Sequence, residues 1–328
     1  GFLSENAAFA EACEASGLTF VGPGPGTLSL FGDKGAARAL AAREGLQILA
    51  GTEGATSLDE ARAFLDSLGA GGAVMVKAVS GGGGRGMRPA RTQDELTQAW
   101  DRCGSEAFSA FGDGSLYVER FLERARHVEV QIVGDGREVS HLWDRECSLQ
   151  RQRQKIIEIA PADTVPQAVR EQLWAAAVRL GQAAAYRGLG TVEFLVEGAD
   201  WVFIEANPRL QVEHTVTEAV TGLELVGIQL ALAEGASLAE LGLDQARVPA
   251  PRGVAVQARI NLETMQADGS ARPGGGVLST YEAPSGPGVR VDGFGYVGYR
   301  TSARYDSLLA KLIVHTVQGG LPRAVAKT

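Results

Sequence analysis

An α+β architecture built on antiparallel sheets is the fold class this chain predicts. Strand and helix patterns follow one another irregularly rather than as repeated βαβ units, and the clearest pair of strands is separated by a loop of hairpin length. Glycine is frequent, 43 of 328 residues, and much of it falls in turns such as 81–84 and 274–276, which suits many short connections.

The elements follow in order. Residues 4–16 read as a helix and 18–22 (LTFVG) as a short strand. Residues 33–44 form an alanine-rich helix that Gly45 ends. Lys34 lies in its first turn, where the helix dipole disfavours a cation; a lysine facing an anion and a solvated one both fit. Residues 73–78 are a strand running into SGGGGRG at 80–86. Residues 92–103 are a helix, with Thr92 and Glu95 spaced as a capping box. Residues 116–120 are a strand. Residues 127–133 alternate cleanly, with Val128, Val130 and Ile132 on one face and His127, Glu129 and Gln131 on the other. Residues 164–187 are the best helix: Thr164 and Gln167 are spaced as a capping box, Pro166 sits in the first turn, and Val169, Leu173, Ala177, Leu180 and Ala184 make an apolar stripe. Another helix is expected over 217–233, then short strands and glycine turns over 254–315.

The hairpin at 191–213 (TVEFLVEGADWVFIEANPRLQVE) carries the most chemistry. Gly198, Ala199 and Asp200 read as a three-residue loop. That register sets Val192, Phe194 and Val196 against Ala206, Ile204 and Val202, and sets Glu193 directly opposite Glu205 on the other face. Opposed side chains lie about 5 Å apart, where like charges repel. Facing carboxylates are therefore poor for stability and well suited to a hard divalent cation, Mg²⁺ first. If the chain stays extended, Glu205, Asn207, Arg209, Gln211 and Glu213 follow along one edge as a metal and anion site. A merely solvated polar strand would explain any one of these residues, but explains the whole row poorly.

Composition narrows the class. Hydrophobic content of 45% and charged content of 21% are ordinary for a globular chain of two or three domains, and no run approaches the about 20 apolar residues of a membrane span. A formal charge of −8 with no basic block argues against nucleic acid. Cys13, Cys103 and Cys147 are odd in number and widely spaced, so neither a disulfide framework nor a zinc site follows. A reducing, cytoplasmic setting is expected. The chain opens on Gly1 and closes on LPRAVAKT, which reads as a helix beginning, so both ends look cut from something longer.

Two further motifs stand out. The glycine run matches G-x-G-x-x-G at Gly81, Gly83 and Gly86, but Pro89 interrupts the helix that a dinucleotide fingerprint needs, and no G-K-[ST] follows. Four glycines after a strand bearing Lys77 suit a flap that lays backbone N–H groups over phosphates; a plain surface hairpin is the alternative. Arg151, Arg153 and Lys155 alternate, and three cations on one face of an otherwise acidic chain suggest binding of a small anion; a solvated basic strand is the alternative.

Together GFLSENAAFA at the start, KAVSGGGGRGM at 77–87, RHVEVQI at 126–132, ECSLQRQRQK at 146–155, EFLVE at 193–197, FIEANPRLQVEHTVTE at 203–218 and ARINLE at 258–263 resemble biotin carboxylase, an ATP-grasp enzyme, in order over the whole chain. The resemblance implies an ATP-grasp fold of antiparallel sheets with helices. A remnant of an N-terminal α/β domain would span 1–48 and an ATP-grasp lid 49–121. The ATP-grasp core, with an incomplete C-terminal β region of the biotin carboxylase type, would span 122–328. It implies Lys34 and Lys77 on the ATP phosphates, with Gly83 and Gly84 as the flap over them. Glu119, Arg120, Phe121 and Leu122 would hold adenine, and His127 and Gln150 would lie on the ribose side. Glu193, Glu205 and Asn207 would hold Mg²⁺ or Mn²⁺. Lys155, Arg209, Gln211 and Val212 would form the bicarbonate pocket, with Glu213 as general base and Arg259 beside the ureido group of biotin. The activity implied is ATP- and bicarbonate-dependent carboxylation of biotin via carboxyphosphate, as an ATP-dependent ligase. Its partners would be a biotin carboxyl carrier domain and a carboxyltransferase component, with a homodimer as one arrangement of the family. Other readings are an ATP-grasp carboxylate–amine ligase, a carbamoyl-phosphate synthase-like enzyme and a non-catalytic nucleotide-binding module.

Overall fold

The computed structural model describes residues 3–52, 54–79, 87–151, 153–267, 271–302 and 306–328, with Ala110 and Phe111 described in backbone only. Three short helices come first: α1 (Ala7–Ala15), α2 (Pro25–Gly32) and α3 (Lys34–Arg43). Then follow α4 (Leu58–Ser67), β1 (Val74–Ala78), β2 (Met87–Ala90), α5 (Gln93–Phe111) and β3 (Leu116–Arg120). The long strands β4 (Arg126–Asp135), β5 (Val139–Arg151) and β6 (Gln154–Ala160) lead to α6 (Gln167–Ala183), the hairpin β7 (Arg187–Glu197) and β8 (Asp200–Asn207), and helices α7 (His214–Thr221) and α8 (Leu225–Ala233). The chain ends with β9 (Val254–Asn261), β10 (Glu263–Met265), β11 (Ala271–Pro273), β12 (Val289–Gly293), β13 (Leu308–Thr316) and α9 (Gly320–Lys327).

Among the described residues the strands form an eight-stranded sheet in the order β12-β13-β9-β6-β5-β4-β7-β8, a three-stranded sheet β2-β1-β3 and the ribbon β10-β11. Neighbouring strands within each sheet pair antiparallel, as expected for an α+β chain. Helices α3 and α6 cover one face of the large sheet. Leu40, Leu173 and Leu180 pack there on Val128, Val130, Ile132, Val192 and Phe194. A separate core joins α4, α5 and the three-stranded sheet through Leu65, Val74, Val76, Leu96, Cys103 and Val118. No single helix among the described residues is long and apolar enough to cross a membrane.

Local signals explain most elements. Asn6, Asp33, Ser57 and Thr92 each accept a bond from a backbone N–H three residues on. At Thr92 only half of the expected box forms, because the Glu95 carboxylate takes the N–H of Arg91 instead (2.8 Å).

Several expectations are corrected. No strand forms at 18–22; Leu18 and Val21 are exposed there, the Leu18 N–H turns back to the Cys13 carbonyl (2.9 Å) and the Val21 carbonyl accepts from the Gln229 side chain (3.1 Å). Helix α2, opened by Pro25, has no side-chain cap and is not among the helices the sequence pattern predicts. The 164–187 helix is shorter at both ends: Thr164 Oγ1 donates to Glu146, Gln167 donates to Glu171, Pro166 takes the N-cap position, and Arg187 already belongs to β7. The expected helix 217–233 is two helices bent by 101°, because Gly222 adopts φ +75° and closes α7 with a left-handed cap.

The hairpin keeps its functional half and changes the other. Thr191, Val192 and Glu193 pair with Asn207, Ala206 and Glu205 as expected. The loop is two residues, not three, and Ile204 is an extra residue between Glu205 and Phe203, so Phe194 pairs with Phe203 and Val196 with Trp201. The bulge turns two aromatic rings into the core, where Trp201 and Phe203 meet Phe194 edge-on at 5.5 and 6.4 Å between centroids. Beyond Asn207 the chain leaves the sheet; 208–213 is a loop leading into α7, not a strand.

Candidate active site

A cleft of about 1120 Å³ separates the three-stranded sheet from the large one, and every candidate residue within the described part of the chain lines it. This volume is ample for a nucleotide-sized ligand. Gly83 and Gly84 lie outside the described residues.

One wall comes from the small sheet and its exit. Lys77, from β1, reaches the Glu119 carboxylate at the end of β3, and the same carboxylate accepts from Arg38 of α3. Arg38 also donates to the Leu49 carbonyl at 2.8 Å, tying α3 to the base of the small sheet. Arg120, Phe121 and Leu122 continue the wall. Lys34 enters from the N-terminus of α3; burial pushes its ammonium below its usual range, with Glu205 acting in the opposite direction.

The floor is the polar face of β4, β6, β7 and β8. Glu193 and Glu205 stand opposite each other across β7 and β8. Glu193 Oε2 meets His127 Nε2 at 2.5 Å, while Oε1 accepts from Asn207 (2.9 Å), Gln211 (2.9 Å) and Lys155 (3.0 Å). His127 is held on its other nitrogen by Gln150 (2.8 Å). Burial opposes ionisation of Glu193, but Lys155 and then His127 outweigh it and hold the carboxyl well below its usual range. Glu193 and Glu205 offer carboxylate oxygens and Asn207 an amide oxygen, the donor set a hard divalent cation prefers. Asn207 Nδ2 now faces both carboxylates, so ligation would need the amide turned to present Oδ1.

Lys155 is the hinge of the electrostatics. Its ammonium donates to Glu129 (2.5 Å), Glu193 (3.0 Å) and Glu213 (2.7 Å). Burial alone would discharge it, yet Glu129 and its neighbours hold it well above the usual lysine range. Glu213 caps α7 and is shared with Arg259 of β9 (2.9 Å), which also holds Glu158 (2.6 Å). Burial works against ionisation of Glu213, but Lys155, Arg259 and Arg145 pull its carboxyl down to about 2. Arg209 donates to Glu5 (2.8 Å), and the Val212 carbonyl accepts from Lys311 (3.1 Å).

Arg151, Arg153 and Lys155 do not share a face of one strand. The β5–β6 turn falls between them, with Arg153 at φ +64°. They still meet the cleft, Arg151 pairing with Glu263 and Arg153 donating to the Met87 carbonyl. Sequence reasoning passed over Glu5, Arg38, Glu129, Arg145, Glu158 and Lys311 as site residues. Only Glu129 left a usable signal, because it alternates with His127 on the polar face of β4. The others come from elements distant in sequence.

An eight-stranded antiparallel sheet facing a small three-stranded one across a cleft of paired carboxylates and lysines is the arrangement of an ATP-grasp protein. The family model "Carbamoyl-phosphate synthase L chain, ATP binding domain" matches residues 33–241, "Biotin carboxylase C-terminal domain" matches 257–327 and "Biotin carboxylase, N-terminal domain" matches 1–28. The chain belongs to the biotin carboxylase family. It is 37% identical to a biotin carboxylase crystallised as a β,γ-ATP complex from Campylobacter jejuni, at a TM-score of 0.91, covering 100% of this chain and 71% of that one. Against the biotin carboxylase domain of Hydrogenobacter thermophilus 2-oxoglutarate carboxylase, a dimer with MgADP, ADP and bicarbonate, the figures are 37%, 0.92, 100% and 71%. Pyruvate carboxylase from Aspergillus niger is 47% identical over 315 residues, 95% of this chain and 26% of the relative. The chain thus spans about a quarter of the length of such relatives.

Proposed function

We propose that this chain is the biotin carboxylase part of a biotin-dependent carboxylase, using ATP and bicarbonate to carboxylate biotin presented by a carrier. The observation that supports this most is Lys155, bonded at once to Glu193 on the nucleotide side and to Glu213 on the anion side. One lysine therefore separates the place where a phosphoryl group would be held from the place where a small anion would be deprotonated.

The residues then take these roles. Lys34 and Lys77 hold the ATP phosphates, and residues 119–122 receive the adenine, with His127 and Gln150 on the ribose side. Glu193, Glu205 and Asn207 hold Mg²⁺ or Mn²⁺, which when bound would neutralise charge on the transferring phosphoryl group. Lys155, Arg209, Gln211 and the Val212 backbone hold bicarbonate, and Glu213 takes its proton as the bicarbonate oxygen attacks the γ-phosphorus and ADP leaves. Glu213 stays ionised down to about pH 2 in the free site, so it is always open to a proton. Its basicity rises once Lys155 and Arg259 turn from it to substrate anions. Carboxyphosphate gives CO₂ and phosphate, and the phosphate receives the biotin N1 proton. Arg259 stabilises the charge that develops on the ureido oxygen.

We divide the chain at about 48/49 and 121/122, a reading supported by the separate core of α4, α5 and the small sheet. The carrier, the carboxyltransferase and a second copy of the chain are its partners in this reading. An acyl-CoA or pyruvate is the final acceptor, pyruvate being favoured by the names of the relatives. A reducing compartment suits three free cysteines. ATP cleavage assayed with bicarbonate and free biotin tests the activity. Bicarbonate-dependent cleavage coupled to biotin carboxylation is expected. Dependence on an amine would favour a carboxylate–amine ligase, and nucleotide binding without turnover a non-catalytic module.

A further inference from the structure

Arg145 lies in β5 with no exposed surface. All five N–H groups of its guanidinium are engaged: Nε by Glu129, Nη1 by Gln131 (2.8 Å) and Thr217 (3.0 Å), and Nη2 by Thr191 (3.2 Å) and Gln211 (3.3 Å). The acceptors come from β4, β7, α7 and the 208–213 loop, so one side chain fastens four segments beneath the cleft. A buried guanidinium is tolerable only when satisfied in this way, and the satisfaction fixes its place.

The consequence falls on Gln211. A side-chain amide has a donor end and an acceptor end, and an arginine can engage only the acceptor. Because Arg145 takes Gln211 Oε1, Gln211 Nε2 is turned to the cleft, where it donates to Glu193 Oε1 at 2.9 Å. Turned half a revolution, the amide would present its oxygen to Glu193 and to any anion beside it. We propose that Arg145 is a positioning residue that locks the Gln211 amide, so that bicarbonate meets an N–H donor and not a carbonyl oxygen. The inference rests on the reading of Gln211 as part of the bicarbonate pocket.

The test compares Arg145→Lys, Gln211→Ala and the double variant in the intact protein, reading bicarbonate-dependent ATP cleavage. Each single variant is expected to raise the KM for bicarbonate about tenfold, the scale of one hydrogen bond to a charged group, with the KM for ATP within about twofold. The double variant is expected to be no worse than either single one, because both act through one amide. Additive losses, an equal rise in the ATP KM for Arg145→Lys, or no effect of Arg145→Lys would overturn the inference and leave the bicarbonate pocket standing. No effect of Gln211→Ala would overturn the pocket assignment and the inference with it. Thr217→Val keeps the buried charge and removes one anchor, so it serves if Arg145→Lys does not fold. A rise of about two- to threefold in the bicarbonate KM, absent in the Gln211→Ala background, is the expected result, and no rise overturns the inference.

Discussion

Glu193 and Glu205 face each other because a hairpin of period two leaves them no other place, and that opposition is tolerable only with cations between or beside them. Glu205→Gln removes one ligand charge and is expected to lower Mg²⁺-dependent ATP cleavage a hundredfold or more, on the order of 3 kcal/mol, with the circular dichroism spectrum unchanged. Full activity at saturating Mg²⁺ would exclude the metal assignment. Arg259 sits between Glu158 and Glu213, off the nucleotide wall. Arg259→Gln should therefore separate the two half-reactions: bicarbonate-dependent ATP cleavage persists while biotin carboxylation falls by about two orders of magnitude. Equal loss of both would assign Arg259 a structural role. Outside the cleft, His141 is buried against Trp143 and Trp174, and burial pushes its imidazole down to about 4, Asp144 acting weakly the other way. The unfolded chain then binds a proton near pH 6.5 that the folded one refuses. Stability from this residue is whole above about 6.5, falls as pH drops to about 4, and changes no further, by about 3 kcal/mol at most. Denaturant midpoints across that window should flatten in His141→Gln; an unaltered slope would show that His141 does not titrate as described.

At the scale of elements, the strands that carry the site were readable, and their packing details were not. Alternation placed His127, Glu129 and Gln131 on one face of β4 and brought Glu193 opposite Glu205. The shift at Ile204 depended on where Trp201 and Phe203 find partners, which local pattern cannot tell. The break at Gly222 was hidden by apolar residues on both sides of it, since α7 and α8 each bury a face of their own. Strand β7 shows how tight this packing is. A Cβ at Gly190 would overlap the hydroxyl and ring of the fully buried Tyr186. Gly190→Ala is expected to cost about 1–3 kcal/mol in unfolding free energy, as overpacking of a filled core does. A denaturant curve indistinguishable from wild type would show that Tyr186 can move aside.

Across the whole molecule, the cleft gathers carboxylates and cations from segments far apart in the chain, from Lys34 to Arg259, and leaves a large space between two sheets. Ligands that bind only this assembled state stabilise it by mass action. MgATP at about a hundred times its Kd should add about 2.7 kcal/mol to unfolding, and Glu205→Gln should forfeit most of the gain. A melting temperature that responds equally in both proteins would place the nucleotide elsewhere.

The sequence by itself determined the fold class and the hairpin that opposes Glu193 and Glu205, because strand period is a local property of the chain, and the resemblance its motifs carry pointed to many of the residues that line the cleft. It could not show that 208–213 leaves the sheet yet still delivers Arg209, Gln211 and Glu213 to the same cleft. Nor could it show that Glu5, Glu158 and Arg145 hold Arg209, Arg259 and Gln211 in place. Those contacts join residues 66 to 204 positions apart, from Arg145 with Gln211 to Glu5 with Arg209. Only the tertiary structure decides them, because a buried charge selects its partners by what packing brings within hydrogen-bond reach, and no local period encodes that.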